Sequence, residues 1–397
     1  MVYNARWGIL ATGGIAKTFV KDLLKDPSAR NASDITHTVT AVASSSSSSR
    51  AQDFITELSI PGNPKAYGSY DELVNDPDVD VIYVATPHSH HYQNARLALE
   101  AGKHVLCEKA FTVNAAQTKI LVDLARKKGL FLMEAVWTRY FPLSVQVRDI
   151  IKKGEEIGEV VRVQADLSIG TPEGFDVASR MVNLDLAGGA LLDCLSSPLP
   201  STFCVALTDG VIVGIYSLTW VFQTLYHTLP PSQRKPPSSI QSSMVKYPAT
   251  GADEDTTILL TFPTTTPNND RRTSHAVAMT AFAVDSHPKG TPSVRIQGTK
   301  GEIQIIGPAY RPVKYRLVPQ DEAKQIREVE SEFPAGGHGM YWEADEVARC
   351  LRDGKLESEG MPWEESIVIM EVMDEVRKQN GLVYPEKIES VEYPVAL

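Results

Sequence analysis

A chain of 397 residues is too long for one compact core, so two domains are expected. Hydrophobic residues at 43% and charged residues at 22% are ordinary for a soluble globular protein. The formal net charge of -10 supplies no basic face for a nucleic acid and serves solubility instead.

Residues 7–11 form a short apolar run that leads to Gly13 and Gly14, and 15–24 reads as an amphipathic helix. A β-branched strand is expected at 38–43. Ser69 to Glu72 has the capping-box form, with a hydroxyl at the N-cap and a carboxylate three residues on. Residues 79–84 read as a buried strand ended by Pro87, 90–101 as a helix with Gly102 at C′, and 105–107 as a strand. A helix at 114–128 stops at Gly129, and a strand at 130–133 closes the series. Strand–helix alternation of this kind builds a parallel sheet with right-handed crossovers. After Phe141-Pro142 the pattern changes. A helix through Ile150 precedes β-type runs at 160–169, 256–262, 275–284, 294–297 and 302–306, which predict an antiparallel sheet, and helices at 342–351 and 363–377 follow. The expected fold is an α/β Rossmann dinucleotide-binding domain at 1–135 plus an α+β substrate domain at 136–397 with a mainly antiparallel sheet. Pro-rich polar loops are expected at 230–237 and 263–272.

Cys107, Cys194, Cys204 and Cys350 form no CxxC pair, which argues against a disulfide framework and a thiolate zinc site. The first residues show no apolar secretory run, so a cytoplasmic location is expected.

Gly13 and Gly14 lie between the first strand and first helix, in the frame Ala11-Thr12-Gly13-Gly14-Ile15-Ala16. Here the middle glycine admits a pyrophosphate and the helix N-terminus supplies free N–H groups. The alternative is a tight turn without a ligand, and the βαβ context favours the ligand. NAD enzymes place an acid after the second strand. This chain has Ser44 to Ser49 and then Arg50; hydroxyls, Ser44 and Ser45 first, with a guanidinium suit the 2′-phosphate of NADP. The same serines also suit a helix N-cap, and both uses are compatible.

Thr86-Pro87-His88-Ser89-His90-His91 and Ala101-Gly102-Lys103-His104-Val105-Leu106-Cys107-Glu108-Lys109 each end a strand. They resemble the TPxxxH and AGKHVxCEKP motifs of the superfamily of glucose–fructose oxidoreductase, inositol dehydrogenase and dihydrodiol dehydrogenase. The resemblance implies that Glu108 and Lys109 face the nicotinamide and that Thr86, Pro87 and His91 line the cofactor. Ala110 stands where most of the superfamily has a proline that helps fix the loop. Read as a metal site, His88, His90 and His91 would splay apart at a strand–helix turn with no thiolate nearby, so no metal is expected.

Phe131-Leu132-Met133-Glu134-Ala135-Val136-Trp137, Met181-Val182-Asn183, Leu218-Thr219-Trp220 and Gly337-His338-Gly339-Met340 resemble segments of dimeric dihydrodiol dehydrogenases and fungal NADP-dependent D-xylose dehydrogenases. That resemblance runs nearly end to end. It implies a large open sheet through which two subunits dimerise, a sugar or diol substrate, and Trp137 as a wall of its pocket. It also implies Lys109 at the cofactor and a tyrosine in an Asp-x-Gly-Ile/Val-Tyr motif as acid/base.

Here that motif is interrupted. Asp193 and Tyr216 are 23 residues apart where the pattern has four, so 19 residues are extra. The intruding stretch at 194–213 holds two cysteines and one charge, Asp209. It reads as a retained short intron or gene-prediction artefact, with a lineage-specific loop as the rival. It makes 205–222 look membrane-like, yet Asp209, Gly210 and Gly214 break the run, and no span is expected.

The chemistry implied is NADP-dependent oxidation of an aldopyranose, D-xylose foremost, at C1 to the aldonolactone. A phenol with a pKa near ~10 is a poor base at neutral pH, and the Lys109 ammonium beside Tyr216 would favour its phenolate. Asp193 could orient Tyr216 or the sugar. Arg180 and Asp176 are weaker candidates for sugar hydroxyls, with a solvated loop as the rival. The alternatives are a trans-1,2-dihydrodiol dehydrogenase and a catalytically silent NADP-binding regulator.

Overall fold

In a computed structural model the described residues are 2–171, 174–192, 194–195, 211–212, 214–263, 273–286 and 290–397. The first part forms a parallel sheet of β1 (Tyr3–Leu10), β2 (Ile35–Ala43), β3 (Lys65–Tyr67), β4 (Val81–Val84), β5 (His104–Glu108) and β6 (Leu132–Ala135), interleaved with α1 (Gly14–Leu23), α2 (Ser48–Glu57), α3 (Tyr70–Val74), α4 (His88–Glu100) and α5 (Ala115–Lys128). Its order is β3-β2-β1-β4-β5-β6. The winding reverses between β1 and β4, and the carboxyl ends of those strands therefore flank the crevice where such sheets bind ligands. The last strand starts two residues later than the sequence predicts. Gly129 ends α5 at φ 65° and Leu130 N–H closes back on Ala125 O, so the chain turns before it can pair.

The second part adds α6 (Pro142–Lys153), β7 (Val160–Asp166), the ribbon β8 (Cys194–Leu195) with β9 (Val211–Ile212), α7 (Gly214–Leu225), and strands β10 (Ser239–Lys246), β11 (Asp253–Pro263), β12 (Thr273–Ala281), β13 (Pro292–Gly298), β14 (Gly301–Ile306), β15 (Lys314–Pro319) and β16 (Arg327–Glu330). The eight-stranded sheet runs β10-β11-β12-β7-β13-β14-β15-β16. It is antiparallel except where β12 meets β7 in parallel. Strands β10 and β16 escape the sequence reading because they are the two edges of the sheet and carry mostly polar residues, and β15, next to one edge, is a short run broken by Lys314, Arg316 and Pro319. One face is buried under α7, and the other is open. Ile258, Leu260 and Phe262 of β11 are buried, while Leu259 between them is 41% exposed.

The chain then returns to the first sheet. Helix α8 (Met340–Arg352) and helix α9 (Trp363–Gln379) fall in the second part of the sequence division, yet both pack on the first, and a short α10 (Glu386–Glu389) follows. Asp22 of α1 accepts the backbone N–H groups of His338, Gly339 and Met340 at 2.8–3.0 Å and so caps α8 from another element. Arg30 grips Asp345 of α8 through two bonds of 2.8 Å, with both side chains buried.

Candidate active site

The site follows from where the strands end. Ala11 leaves β1 with φ 94°, in the region that favours glycine, at the place where the dinucleotide fingerprint has its first glycine. Gly13 is the N-cap of α1 and brings no side chain to its first turn, and among the described residues no other side chain bonds the first N–H groups of that helix. A Cβ added to Gly13 or Gly14 would meet no atom within 4 Å. The turn therefore leaves free space against a helix N-terminus, which is the form a pyrophosphate needs.

That space is one end of a cavity of about 260 Å³. It is lined by Ala11 to Ile15, by Ser44, Ser45, Ser46 and Arg50 after β2, by Thr86, Pro87, His88 and His91 after β4, and by Glu108 and Lys109 after β5. Four separate sequence stretches meet there because all end at the same edge of the sheet. Ser47 is the N-cap of α2, accepting the Arg50 N–H at 3.3 Å, while Ser44 to Ser46 and Arg50 line the cavity. Tyr70, which sequence reasoning missed, joins them through a hydrogen bond to Ser45. Its only sequence signal was its place at the first turn of the helix capped by Ser69 and Glu72.

The end of the cavity at Glu108 and Lys109 holds buried charge. Tyr83 donates to Glu108 Oε1 at 2.5 Å, and Lys109 Nζ lies 3.7 Å from Glu108 Oε2. Burial pushes the Glu108 carboxyl up, with Lys109 and Tyr83 pulling the other way. Glu343 of α8, also buried, is pushed well up by burial and by the charge of Glu108. The two ring nitrogens of His91 lie 2.8 Å from Ala110 O and Thr86 O, and burial pushes its pKa down to about 4. His91 thus ties the end of β4 to the residue after Lys109. His90 turns to Ser89, at 2.8 Å, and among the described residues no three His, Cys, Asp or Glu side chains are placed to hold a metal.

Lys109 Nζ sits 5.3 Å from the ring centroid of Tyr216 in α7. The Trp137 indole N–H donates to the Tyr216 hydroxyl, and Trp137 stacks on Tyr310 with centroids 6.2 Å apart. Tyr216 is buried behind Lys109 and is not among the residues lining the cavity. Tyr310, half-buried beside both rings, was not singled out from sequence. Arg180 lines the cavity, whereas Asp176 is exposed and accepts the N–H of Ala178 at 2.8 Å within its own turn. Asp193 lies outside the described residues, as does most of 194–213. The two ends of that stretch are neighbours: Gly214 N–H donates to Ala190 O at 2.8 Å, and Cys194 pairs with Ile212. Among the described residues no helix is long and apolar enough to cross a membrane.

Comparison with known proteins agrees with this geometry. Residues 5–136 match an oxidoreductase family with an NAD-binding Rossmann fold, GFO/IDH/MocA. A D-xylose 1-dehydrogenase (NADP(+)) of Hypocrea jecorina is 53% identical over 98% of this chain and 96% of its own length. A trans-1,2-dihydrobenzene-1,2-diol dehydrogenase of Homo sapiens is 34% identical over 96% of this chain and 98% of its own. Among solved structures, an aldose-aldose oxidoreductase from Caulobacter crescentus superposes with a TM-score of 0.72 at 18% identity, covering 95% of this chain and 98% of that one. A 3-ketoreductase from Actinomadura kijaniata, solved with NADP, gives 0.66 at 21% identity over 94% and 97%. These two share the fold.

Proposed function

Given that the chain belongs to the GFO/IDH/MocA oxidoreductase family, we propose that it oxidises an aldopyranose, D-xylose foremost, at C1 to the aldonolactone with NADP as hydride acceptor. The observation that carries this reading is the continuity of one cavity from the phosphate turn at Gly13, past Ser44 to Arg50, to Lys109. The identity with the fungal D-xylose dehydrogenase over nearly the whole chain supports the substrate class.

NADP, when bound, accepts the hydride that leaves C1. The rest falls to the chain. The helix turn at Gly13 and Gly14 holds the pyrophosphate, and Arg50 with Ser44 and Ser45 takes the 2′-phosphate. Tyr216 takes the proton of the C1 hydroxyl as the C1–H and O–H bonds break and the C1=O bond forms. The Lys109 ammonium over its ring and the Trp137 N–H on its oxygen both favour the phenolate. Trp137 is therefore assigned to support the base as well as to wall the pocket.

A second reading, oxidation of trans-dihydrodiols, is favoured by the aromatic corner of Trp137, Tyr216 and Tyr310, which suits an apolar ring. Turnover of NADP with D-xylose against trans-dihydrobenzenediol separates the two readings. D-xylose as the better substrate by kcat/KM supports the first, and the reverse order refutes it.

The enzyme is assigned as a homodimer joined through the open face of the eight-stranded sheet, where Val245 and Leu259 stand exposed. A cytoplasmic setting suits the buried free thiols of Cys107 and Cys350.

A further inference from the structure

We propose that Glu134 is a positioning residue for Lys109. Lys109 reaches Glu108 and Tyr216 from a loop whose next residue is Ala110, a side chain that makes no polar contact of its own. The loop is held from outside. Glu134, fully buried on β6, accepts the backbone N–H of Phe111 at 3.0 Å through Oε1. Its other oxygen accepts the Ser366 hydroxyl of α9 at 2.7 Å. From the opposite side, His91 stands 2.8 Å from Ala110 O. The backbone two residues after Lys109 is thus pinned between β6, α9 and α4, and among the described residues Glu134 is the side chain that accepts the Phe111 N–H.

A buried carboxyl with both oxygens engaged is costly to place and would be replaced by an apolar residue if the site needed only packing. What this carboxyl holds is the segment carrying the ammonium. A displacement near ~1 Å at a reacting group costs about 100-fold in rate, and Glu134 is not among the residues lining the cavity, so it acts on the chemistry through the segment that carries Lys109.

This inference rests on the dehydrogenase reading, and its test has one arm that does not. The variants are E134M, which keeps volume and removes the acceptor; E134Q, which keeps an acceptor for Phe111 N–H; and S366A, which frees the second oxygen. The first readout is amide hydrogen exchange over residues 109–113 in the protein without substrate. Exchange at least tenfold faster in E134M, and parental in E134Q, is expected. The second is steady-state kinetics with D-xylose. E134M is expected to lose at least tenfold in kcat, with KM and the NADP dissociation constant within threefold of the parent and E134Q restored to within threefold. Parental exchange in E134M overturns the proposal whether or not the parent oxidises D-xylose, and so does an equal loss of kcat in E134M and E134Q. A parent that never turns over D-xylose defeats the substrate reading alone. If E134M fails to fold, S366A decides: exchange at least threefold faster supports the clamp, and unchanged exchange overturns it.

Discussion

The ammonium of Lys109 and the ring of Tyr216 face each other at 5.3 Å, although one follows a strand of the first sheet, the other lies in the helix packed on the second, and 107 residues separate them in sequence. Lys109 closes the cavity at the end of β5, and Tyr216 stands behind it near the start of α7. Removing Tyr216, which does not line the cavity, therefore separates chemistry from cofactor binding. Y216F is expected to lower kcat by about 100-fold or more, the usual contribution of a general base. Its NADP dissociation constant should stay within threefold of the parent. Titration of NADP by fluorescence beside steady-state kinetics checks both. A Y216F enzyme with parental kcat removes Tyr216 from the mechanism.

Arg50 is exposed at the rim beside Ser44 and Ser45, so the bond to a 2′-phosphate proposed for it would be charge-assisted but screened by solvent. R50A is expected to weaken NADP by about tenfold and leave NAD unchanged. Equal weakening of the two cofactors would place Arg50 elsewhere on the nucleotide.

Burial pushes the Glu134 carboxyl up to about 7, against the bonds from Ser366 and Phe111 and the charge of Arg139. The folded protein holds this proton more tightly than the unfolded chain. The stability it contributes is full below the ordinary carboxyl value near ~4.3 and is lost as the pH rises through 7. The parent should therefore lose up to roughly 3 kcal/mol relative to E134Q between about pH 4 and 8. Urea midpoints across that range decide it, and a parent–E134Q difference independent of pH sinks the assignment.

Arg30 and Asp345 form a buried pair that fastens α8 to the first sheet, with His37 Nε2 also 2.9 Å from Asp345. D345A strands the guanidinium and should cost about 3–5 kcal/mol. An unchanged urea midpoint would show that α8 is held by its apolar face alone.

Much of this site is legible in sequence because its parts are local. The glycine turn, the serines before Arg50, the segment Thr86 to His91 and the pair Glu108-Lys109 each sit at a strand end, and strand ends follow from periodicity. Partners supplied across the fold are not legible that way. Nothing local marks Tyr70 as a neighbour of Ser45, Tyr310 as a neighbour of Trp137, or Glu343 as a neighbour of Glu108. The capping of α8 by Asp22, more than 300 residues upstream, is invisible for the same reason. Ala11 shows the opposite case: the fingerprint lacks its first glycine, yet the backbone still takes the glycine conformation there. The polar edge strand β10 has no alternating apolar signal to read, since only Ile240 and Met244 turn inward against the core.

Tyr216 keeps its place beside Lys109 despite the 19 extra residues. Their two ends meet at Ala190 and Gly214, so the stretch can leave and return without moving α7. The most direct test is NADP reduction with D-xylose, run in parallel on the whole chain and on a version lacking 195–213, which restores the uninterrupted order Asp193-Cys194-Gly214-Ile215-Tyr216. Comparable turnover by both is the predicted result. Turnover by the shortened chain alone would contradict the claim for this chain, and NADP binding without turnover in either would contradict the dehydrogenase reading itself.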